Sequence, residues 1–439
     1  MFELPKYGDG LCLARLAALL ELLAIDRTRL QQHAVVVTGS NGKGSVAAMC
    51  AGIGRALGLR TGLFTSPHLY RFNERFAIDG VPIGDGLLTE LVERVATAIT
   101  HVSRGRGGER FGAFEAQFAL ACLYFQEAGC AFMVFEAGIG GRYDPVRLVG
   151  ARLTCVTSVD LEHTELLGGS LELIASDKSD ACAAGGTVVY GENLRGLRGH
   201  LAEYNRGRGV TGLFVREEIA LGEERMSAAG QSLDVRFDRH GFDALELALP
   251  GTFQFNNAAI AVAMVLLWLR QERPDAAPAA IEAAVRAGLR ETRWAGRIET
   301  IRQAPLTVID VGHTPDGVRQ ALRSLQLLHG DEEWILVLGV SRDKNVADIA
   351  ALLAGAFGTI VCTAAHHKGA EAERIAAAAR AANPAAEVVV AGDIAAAVAV
   401  STQLALASGR RIYVAGGLFV AVEYATVVRV ASRRLVGWG

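Results

Sequence analysis

The sequence lacks the features of several common protein classes. Lysine and arginine number 44 against 47 aspartates and glutamates, so the formal charge of −3 offers no basic surplus for nucleic acid. No run approaches the ~20 unbroken apolar residues of a membrane span. The first residues show no basic start followed by an apolar block, so no secretory leader is expected. We therefore predict neither a nucleic-acid partner nor a membrane association.

Cysteines are few, and no pair of them has the Cys-x-x-Cys spacing of metal or redox sites. Scattered thiols are typical of reduced, buried cysteines in a cytosolic protein, so we expect a cytoplasmic location. The seven cysteines are spread along the chain at positions 12, 50, 122, 130, 155, 182 and 362.

The order of apolar segments predicts an α/β fold. The chain has 439 residues, 51% of them hydrophobic, which favours two or three domains with large cores. Buried-strand runs such as "AVVVTG" (34–39) and "AFMVFEAG" (131–138) alternate with helical segments, as in a parallel sheet covered on both faces. Shorter strands over 212–249, starting with "GLFVREEI", suggest a small β excursion.

A second strand–helix series begins near residue 300. We predict a P-loop-containing, mostly parallel sheet domain with the small β excursion over residues 1–297. A smaller Rossmann-like C-terminal α/β domain is predicted over residues 298–439.

The stretch "VVVTGSNGKGS" (35–45) has the order strand, glycine-rich turn, helix. This arrangement directs several backbone N–H groups and a helix N-terminus at one point, which suits a polyphosphate. Lys43 adds a positive charge and Ser45 a hydroxyl. The usual GxxxxGK[ST] pattern is not met, since its first glycine falls on Val37 and Gly44 separates Lys43 from Ser45. A tight turn with an exposed lysine is the alternative interpretation.

Glu136 ends the apolar run "FMVFE". An ionised carboxylate is costly there unless it is paired or bound to a metal ion. From the sequence, Glu136 can be interpreted either as a metal ligand or as one member of a structural ion pair.

Eight segments occur in an order that resembles the folylpolyglutamate synthase/dihydrofolate synthase family, within the Mur ligases. The resemblance implies an ATP-dependent acid–amino-acid ligase of folate biosynthesis and one-carbon metabolism. In such a reaction ATP turns a carboxylate into an acyl phosphate, which an amine attacks. The segments are "TGSNGKGS" (38–45), "TSPHLYRFNER" (65–75), "FEAGIGGRYD" (135–144), "TSVDLEHTELLG" (157–168), "LPGTFQFNNAA" (249–259), "GR" (296–297), "DVGHTPDG" (310–317) and "GVSRDK" (339–344).

The resemblance also implies roles for individual residues. Catalytic roles fall on Lys43, Lys178 and His313. The cofactors implied are ATP and two magnesium ions, with Lys178 acting in carbamylated form. The metal ligands implied are Ser66, Glu136, His163 and Lys178. The nucleotide contacts implied are Gly39, Ser40, Asn41, Gly42, Lys43, Gly44, Ser45, Asn257, Arg297 and Asp310.

The sequence departs from the family pattern mainly in segments expected to bind the acceptor acid, while the nucleotide-binding motifs are largely intact. Thr314 stands where the folate enzymes usually have Asn, and Pro145, Val146 and Arg147 replace Ala-Thr-Asn. The segment 177–180 is Asp-Lys-Ser-Asp instead of Glu-Lys-Ala-Gly. Retention of "SPHLYRFNER" favours a folate or pterin-type acid as acceptor.

We expect a monomer that adds an amino acid, glutamate by the resemblance, to this acid. The alternatives are a Mur-type ligase with a non-folate acceptor in specialised metabolism, or an inactive nucleotide-binding regulator.

Overall fold

The fold is taken from a computed structural model that describes residues 4–5, 8–10, 12–227, 229–330 and 333–436, with backbone alone for 431–436. The chain divides into two compact units. The first runs from the N-terminal part to Arg225 and includes Ser232–Ala248 and Gln254–Arg293. The second contains Met226–Gln231, Leu249–Phe253 and the chain from Trp294 onward.

The first unit contains an eight-stranded sheet in the order β4-β3-β2-β5-β1-β6-β7-β8. Pairing is parallel from β2 to β8, while β3 and β4 pair antiparallel at one end. These strands are β1 (Ala34–Thr38), β2 (Thr61–Phe64), β3 (Phe76–Ile78), β4 (Val81–Pro82), β5 (Phe132–Glu136), β6 (Leu153–Val156), β7 (Thr187–Tyr190) and β8 (Thr211–Phe214). A three-stranded sheet follows, with β9 (Ile219–Ser227), β10 (Gly230–Phe237) and β11 (His240–Leu247).

The central strands β1 and β5 are buried at every residue, because helices cover both faces of the sheet. The helices of this part of the chain are α1 (Leu13–Leu22), α2 (Arg27–His33), α3 (Lys43–Ala56), α4 (Asp85–Gly105), α5 (Ala113–Glu127), α6 (Thr164–Leu167), α7 (Leu171–Ser179), α8 (Arg198–Arg206), α9 (Phe253–Glu272) and α10 (Pro278–Glu291).

The second unit contains a six-stranded sheet in the order β12-β13-β17-β14-β15-β16, parallel except for the β12–β13 pair. Its strands are β12 (Glu299–Gln303), β13 (Leu306–Ile309), β14 (Trp334–Leu338), β15 (Thr359–Cys362), β16 (Glu387–Val390) and β17 (Arg411–Ala415). Its helices are α11 (Pro315–His329), α12 (Val346–Ala354), α13 (Ala372–Ala382), α14 (Ile394–Ser408) and α15 (Leu418–Val436).

The predicted α/β class, with a large, mostly parallel sheet followed by a second α/β domain, is confirmed. One detail of the β excursion is wrong: Thr211–Phe214 pairs parallel with β7 and extends the large sheet. Short strands on either side of a turn look alike in sequence, and only long-range pairing decides which sheet each one joins.

Helix α9 is long and apolar enough to cross a membrane, yet 83% of its most apolar window is buried inside the protein. Its Asn257 and Gln254 are also buried. These features are typical of a core helix.

A buried ion pair connects α1 to α5. Arg15 donates from Nε and Nη2 to the two carboxylate oxygens of Glu115, at 2.9 and 2.7 Å. The side chains are only 1% and 10% exposed. Glu115 also accepts a hydrogen bond from the backbone N–H of Gly112, at the start of α5. The pair therefore fixes the N-terminal helix against the core.

We predict that Arg15→Ala lowers the free energy of unfolding of the first unit by about 3–5 kcal/mol, because it leaves the Glu115 carboxylate buried without a cationic partner. Urea titration followed by tryptophan fluorescence measures this. The control Arg94→Ala removes the exposed Arg94–Glu127 pair and should cost less than about 1 kcal/mol. Equal losses for the two variants would contradict the prediction.

Candidate active site

The P-loop, residues 38–45, connects β1 to α3 through two glycines that no other residue could replace without strain. Gly39 has φ +137° and Gly42 has φ +87°. A Cβ on Gly39 would lie 1.9 Å from Thr157 Oγ1, and one on Gly42 would lie 2.6 Å from Asn257 Oδ1. The loop therefore lies tightly against both the segment after β6 and the start of α9.

Lys43 begins α3 and folds back over the P-loop. Its ammonium donates to the backbone carbonyls of Gly39 at 2.8 Å and Ser40 at 3.2 Å. An incoming phosphate could accept these hydrogen bonds instead, next to the backbone N–H groups at the start of α3.

Buried polar side chains of α9 lie behind the P-loop. Gln254 donates from Nε2 to the Ser45 hydroxyl at 3.4 Å and accepts from Asn257 Nδ2 at 2.9 Å. The structure therefore brings two predicted nucleotide residues, Ser45 and Asn257, to the same loop.

The segment that follows β6 holds the P-loop from the other side. Asn41 accepts from Thr157 Oγ1 at 2.6 Å and donates its N–H to Ser158 Oγ at 2.8 Å. The N–H of Asp160 donates to Ser40 Oγ at 3.0 Å. Parallel pairing of β6 with β1 makes these contacts possible.

Glu162 lies between two lysines of the site. Its Oε1 is 3.1 Å from Lys178 Nζ. Burial alone would raise the pKa of Glu162, but Lys43, Lys178 and the Ser40 hydroxyl outweigh it and lower the pKa to about 2. Burial lowers the pKa of Lys178, which is 1% exposed, and Glu162 opposes that shift. His163 follows Glu162 directly, with a left-handed backbone at φ +48°.

Glu136 and Ser66 meet at the same edge of the sheet. The Ser66 N–H donates to Glu136 Oε2 at 3.0 Å, and the Glu136 residue is 4% exposed. Glu136 pairs in register with Val37, one residue before the end of β1. The carboxylate therefore lies on the strand next to the one that carries the P-loop.

A partly buried arginine, Arg75, lies near the Glu136 carboxylate. Burial lowers the pKa of Arg75 to about 10, and the charges of Glu136 and Glu74 oppose that fall. Arg75 donates from Nε to His68 Nδ1 at 2.9 Å and from Nη1 to Gln117 Oε1 at 2.8 Å. Burial, and then Arg75, lower the pKa of His68.

The glycine-rich loop after Glu136 is fixed by two aspartates. Asp144 accepts from the N–H groups of Gly138 and Ile139, each at 2.9 Å, and burial raises its pKa to about 6. Asp177, next to Lys178, accepts from the Gly141 N–H at 2.9 Å. The loop and α7 are therefore held together beside the P-loop.

The remaining predicted residues lie in the second unit. Asp310 is buried and accepts from the N–H groups of Ile298 at 3.1 Å and Gly312 at 2.7 Å. Burial raises its pKa, and the charge of Arg297 opposes that rise. His313 Nδ1 lies 3.3 Å from the carbonyl oxygen of Val311.

Sequence reasoning did not single out Glu162, Arg75, His68, Asp144 or Asp177. The first four lie inside the matched segments, so the signal was present, and Asp177 precedes Lys178. Only the fold reveals which atoms they contact.

The chain is similar to folylpolyglutamate synthase of Lacticaseibacillus casei. The two are 31% identical over 358 residues, which cover 82% of this chain and 81% of that protein. The chain belongs to the folylpolyglutamate synthase family. Another family member, dihydrofolate synthase/folylpolyglutamate synthase of Mycobacterium tuberculosis, is 30% identical over 80% of this chain and 74% of its own length.

Two further comparisons agree with this family. Residues 296–418 match the family model "Mur ligase, glutamate ligase domain". Mycobacterium tuberculosis folylpolyglutamate synthase complexed with ADP and AMPPCP has a TM-score of 0.86 at 26% identity, over 98% of this chain and 96% of that one. The predicted resemblance is confirmed, and with it the class of ATP-dependent ligase.

We predict that Gly39→Ala weakens ADP binding at least ~10-fold, because the added methyl group collides with Thr157 and distorts the P-loop. Isothermal titration calorimetry measures the dissociation constant. The control Gly86→Ala places a methyl group in open space near the start of α4 and should bind ADP like the wild type. Unchanged affinity in Gly39→Ala would mean that the nucleotide phosphates bind elsewhere.

Proposed function

We propose that the protein adds glutamate to a folate or pterin-type carboxylic acid through an acyl phosphate, at the expense of ATP. The two relatives named above carry folylpolyglutamate and dihydrofolate synthase activities in their names. The observation that carries the proposal is the position of the buried Glu136 carboxylate. It accepts a hydrogen bond from the Ser66 N–H, and Glu136 lies on β5, the strand next to the one that leads into the P-loop.

The nucleotide phosphates would replace the carbonyl groups that Lys43 now contacts. The loop offers backbone N–H groups and the N-terminus of α3, which favour concentrated negative charge. Lys43 would then neutralise charge on the phosphoryl group as it moves to the acceptor. The proposed contacts in this unit are Gly39, Ser40, Asn41, Gly42, Lys43, Gly44, Ser45 and Asn257.

The residues at the sheet edge suit magnesium. No three His, Cys, Asp or Glu side chains form a metal cage within the part of the chain that the structure describes. Magnesium is commonly held by one or two carboxylates together with substrate phosphates, so one buried glutamate beside a P-loop fits it. We propose Ser66, Glu136 and His163 as ligands. The ion would supply charge neutralisation between the nucleotide and the acceptor carboxylate.

Lys178 is proposed to act as a carbamate that helps to hold a second magnesium ion. A carbamate forms when a neutral amine combines with carbon dioxide, and burial lowers the pKa of Lys178 and so favours the neutral amine. As an ammonium, the same side chain pairs with Glu162. A carbamate on Lys178 would be negatively charged, like the neighbouring Glu162 carboxylate. The proposal therefore requires a cation between these two groups.

Further parts of the proposal rest on the family pattern. Arg297 and Asp310 are proposed nucleotide contacts, and His313 is proposed to take part in catalysis. A cytoplasmic monomer with two domains, over residues 1–297 and 298–439, is proposed as well. A non-folate acceptor is the second candidate, favoured by Pro145, Val146 and Arg147 in place of the usual Ala-Thr-Asn.

We predict ADP release that depends on both glutamate and a pterin acid. The assay follows ADP with dihydropteroate, dihydrofolate, tetrahydrofolate or a panel of unrelated carboxylic acids, each with glutamate, aspartate or no amino acid. Turnover with glutamate and at least one pterin acid supports the proposal. Turnover only with an unrelated carboxylic acid would exclude the folate acceptor, while leaving the ligase chemistry in place.

Glu136→Gln should lower kcat at least ~100-fold, because it removes the negative charge that a magnesium ion needs while conserving the shape of the side chain. Steady-state ADP release at saturating substrates measures the loss. The control Glu282→Gln affects only an exposed pair with Arg286 and should keep full activity. A Glu136→Gln variant as active as this control would contradict the metal assignment.

A further inference from the structure

Two positions that depart from the family pattern meet at Arg142, on the glycine-rich loop that follows Glu136. Asp180, where the pattern has glycine, accepts a hydrogen bond from Arg142 Nε with its Oδ2 at 2.7 Å. Arg147, where the pattern has asparagine, donates from Nη1 to the backbone carbonyl oxygen of Arg142 at 2.8 Å. A glycine has no side chain for the first contact, so this chain fixes Arg142 in a way that the pattern does not provide.

The Asp180 carboxylate binds two arginines through different oxygens. Its Oδ2 also accepts from the Tyr204 hydroxyl at 2.9 Å, and Arg142 Nη2 donates to the same hydroxyl oxygen at 2.9 Å. Its Oδ1 pairs with Arg208 Nη1 at 2.9 Å. Asp180 is buried, and each of its oxygens has a cationic partner. The contact with the loop and the contact with Arg208 can therefore be removed separately.

The glycine-rich loop lies directly on the end of α7 that carries Lys178. A Cβ on Gly141 would lie 2.6 Å from the carbonyl oxygen of Lys178. A Cβ on Gly140 would lie 2.3 Å from Asp177 Oδ1, which also accepts from the Gly141 N–H at 2.9 Å. Because the loop starts next to Glu136, it joins two segments whose side chains are proposed to bind metal.

Apolar burial does little to fix this loop. Three of the six residues over 138–143 are glycines, which lose the most conformational freedom when a loop becomes ordered. Ile139 is only partly buried, and Tyr143 is 51% exposed. Polar contacts must therefore hold the loop, and a charge-assisted hydrogen bond is stronger than one between neutral groups. The Arg142 side chain is 39% exposed, so its pair with Asp180 orients the loop but contributes little to global stability.

We propose that Arg142 and Asp180 are positioning residues for the ligase reaction, because their contact fixes the loop after Glu136 against the helix turn that carries Lys178. This proposal rests on the proposed ligase function and extends it. Neither side chain of the pair needs to touch a substrate. The pair limits the relative movement of two groups that must keep their geometry during phosphoryl transfer, and a misplacement of about 1 Å can cost ~100-fold in rate.

The two oxygens of Asp180 supply matched variants. Asp180→Gly restores the residue of the family pattern, and Arg142→Met removes the same contact from the side of the loop. We expect each to lower kcat at least ~10-fold and to leave KM for ATP within ~2-fold. The double variant should be no slower than the single variants, because all three lose the same contact. Arg208→Met removes only the partner of Oδ1 and should keep at least about half of the wild-type kcat.

Conservative variants separate positioning from a purely structural role. Arg142→Lys keeps a cation within reach of Asp180 and should recover at least about a third of the wild-type kcat. Tyr204→Phe weakens the same contact without removing a charge and should lower kcat at least ~3-fold. Equal losses in Arg142→Met and Arg208→Met would overturn the proposal. Additive losses in the double variant would overturn it too, since Arg142 would then act independently of Asp180.

Hydrogen–deuterium exchange tests the contact without turnover. We expect the backbone amides of residues 138–144 to exchange at least ~5-fold faster in Asp180→Gly than in the wild type, and at an unchanged rate in Arg208→Met. An unchanged rate in Asp180→Gly would overturn the proposal even if the activity falls. A wild type without ligase activity that shows this difference in exchange would instead count against the proposed function.

Discussion

Parallel pairing of β1 with both β5 and β6 is the constraint on which the site depends. It places the loops that follow the three strands at one edge of the sheet, where ligands of open α/β sheets bind. These loops carry the P-loop, Glu136 and the segment with Glu162 and His163. Both flanking pairings have a fixed register, so a one-residue slip of either strand would turn its buried side chains to the opposite face.

The same edge concentrates charge in a small volume. Lys43 and Lys178 lie near Glu162, and Arg75 lies near Glu136, so each of these two carboxylates has a cation in its neighbourhood. Such pairs are weak evidence for stability, because desolvation offsets much of their attraction. Under the proposed function, an incoming polyphosphate would take over Lys43 from the backbone carbonyls that it now contacts.

Much of this could be predicted from the sequence. A strand, a glycine turn and a helix in succession are local features, and they located the P-loop. The apolar run before Glu136 marked a carboxylate that needs a partner. Contacts that depend on how the loops fold were inaccessible, among them Glu162 with Lys178 and Arg75 with His68. The pairing of β8 with β7 depends on register across the sheet and was inaccessible as well. The departures at 145–147 could be seen, but no local rule translates them into an acceptor.

The central claim is that a divalent cation bound at Glu136 and Ser66 joins the nucleotide to the acceptor. Anomalous diffraction from crystals grown with AMPPCP and Mn²⁺ tests it most directly, since manganese takes magnesium sites and scatters strongly. The account predicts an anomalous peak within coordination distance of a Glu136 carboxylate oxygen and of the nucleotide phosphates. A fully occupied manganese position far from Glu136, with the nucleotide bound on the P-loop, would contradict it.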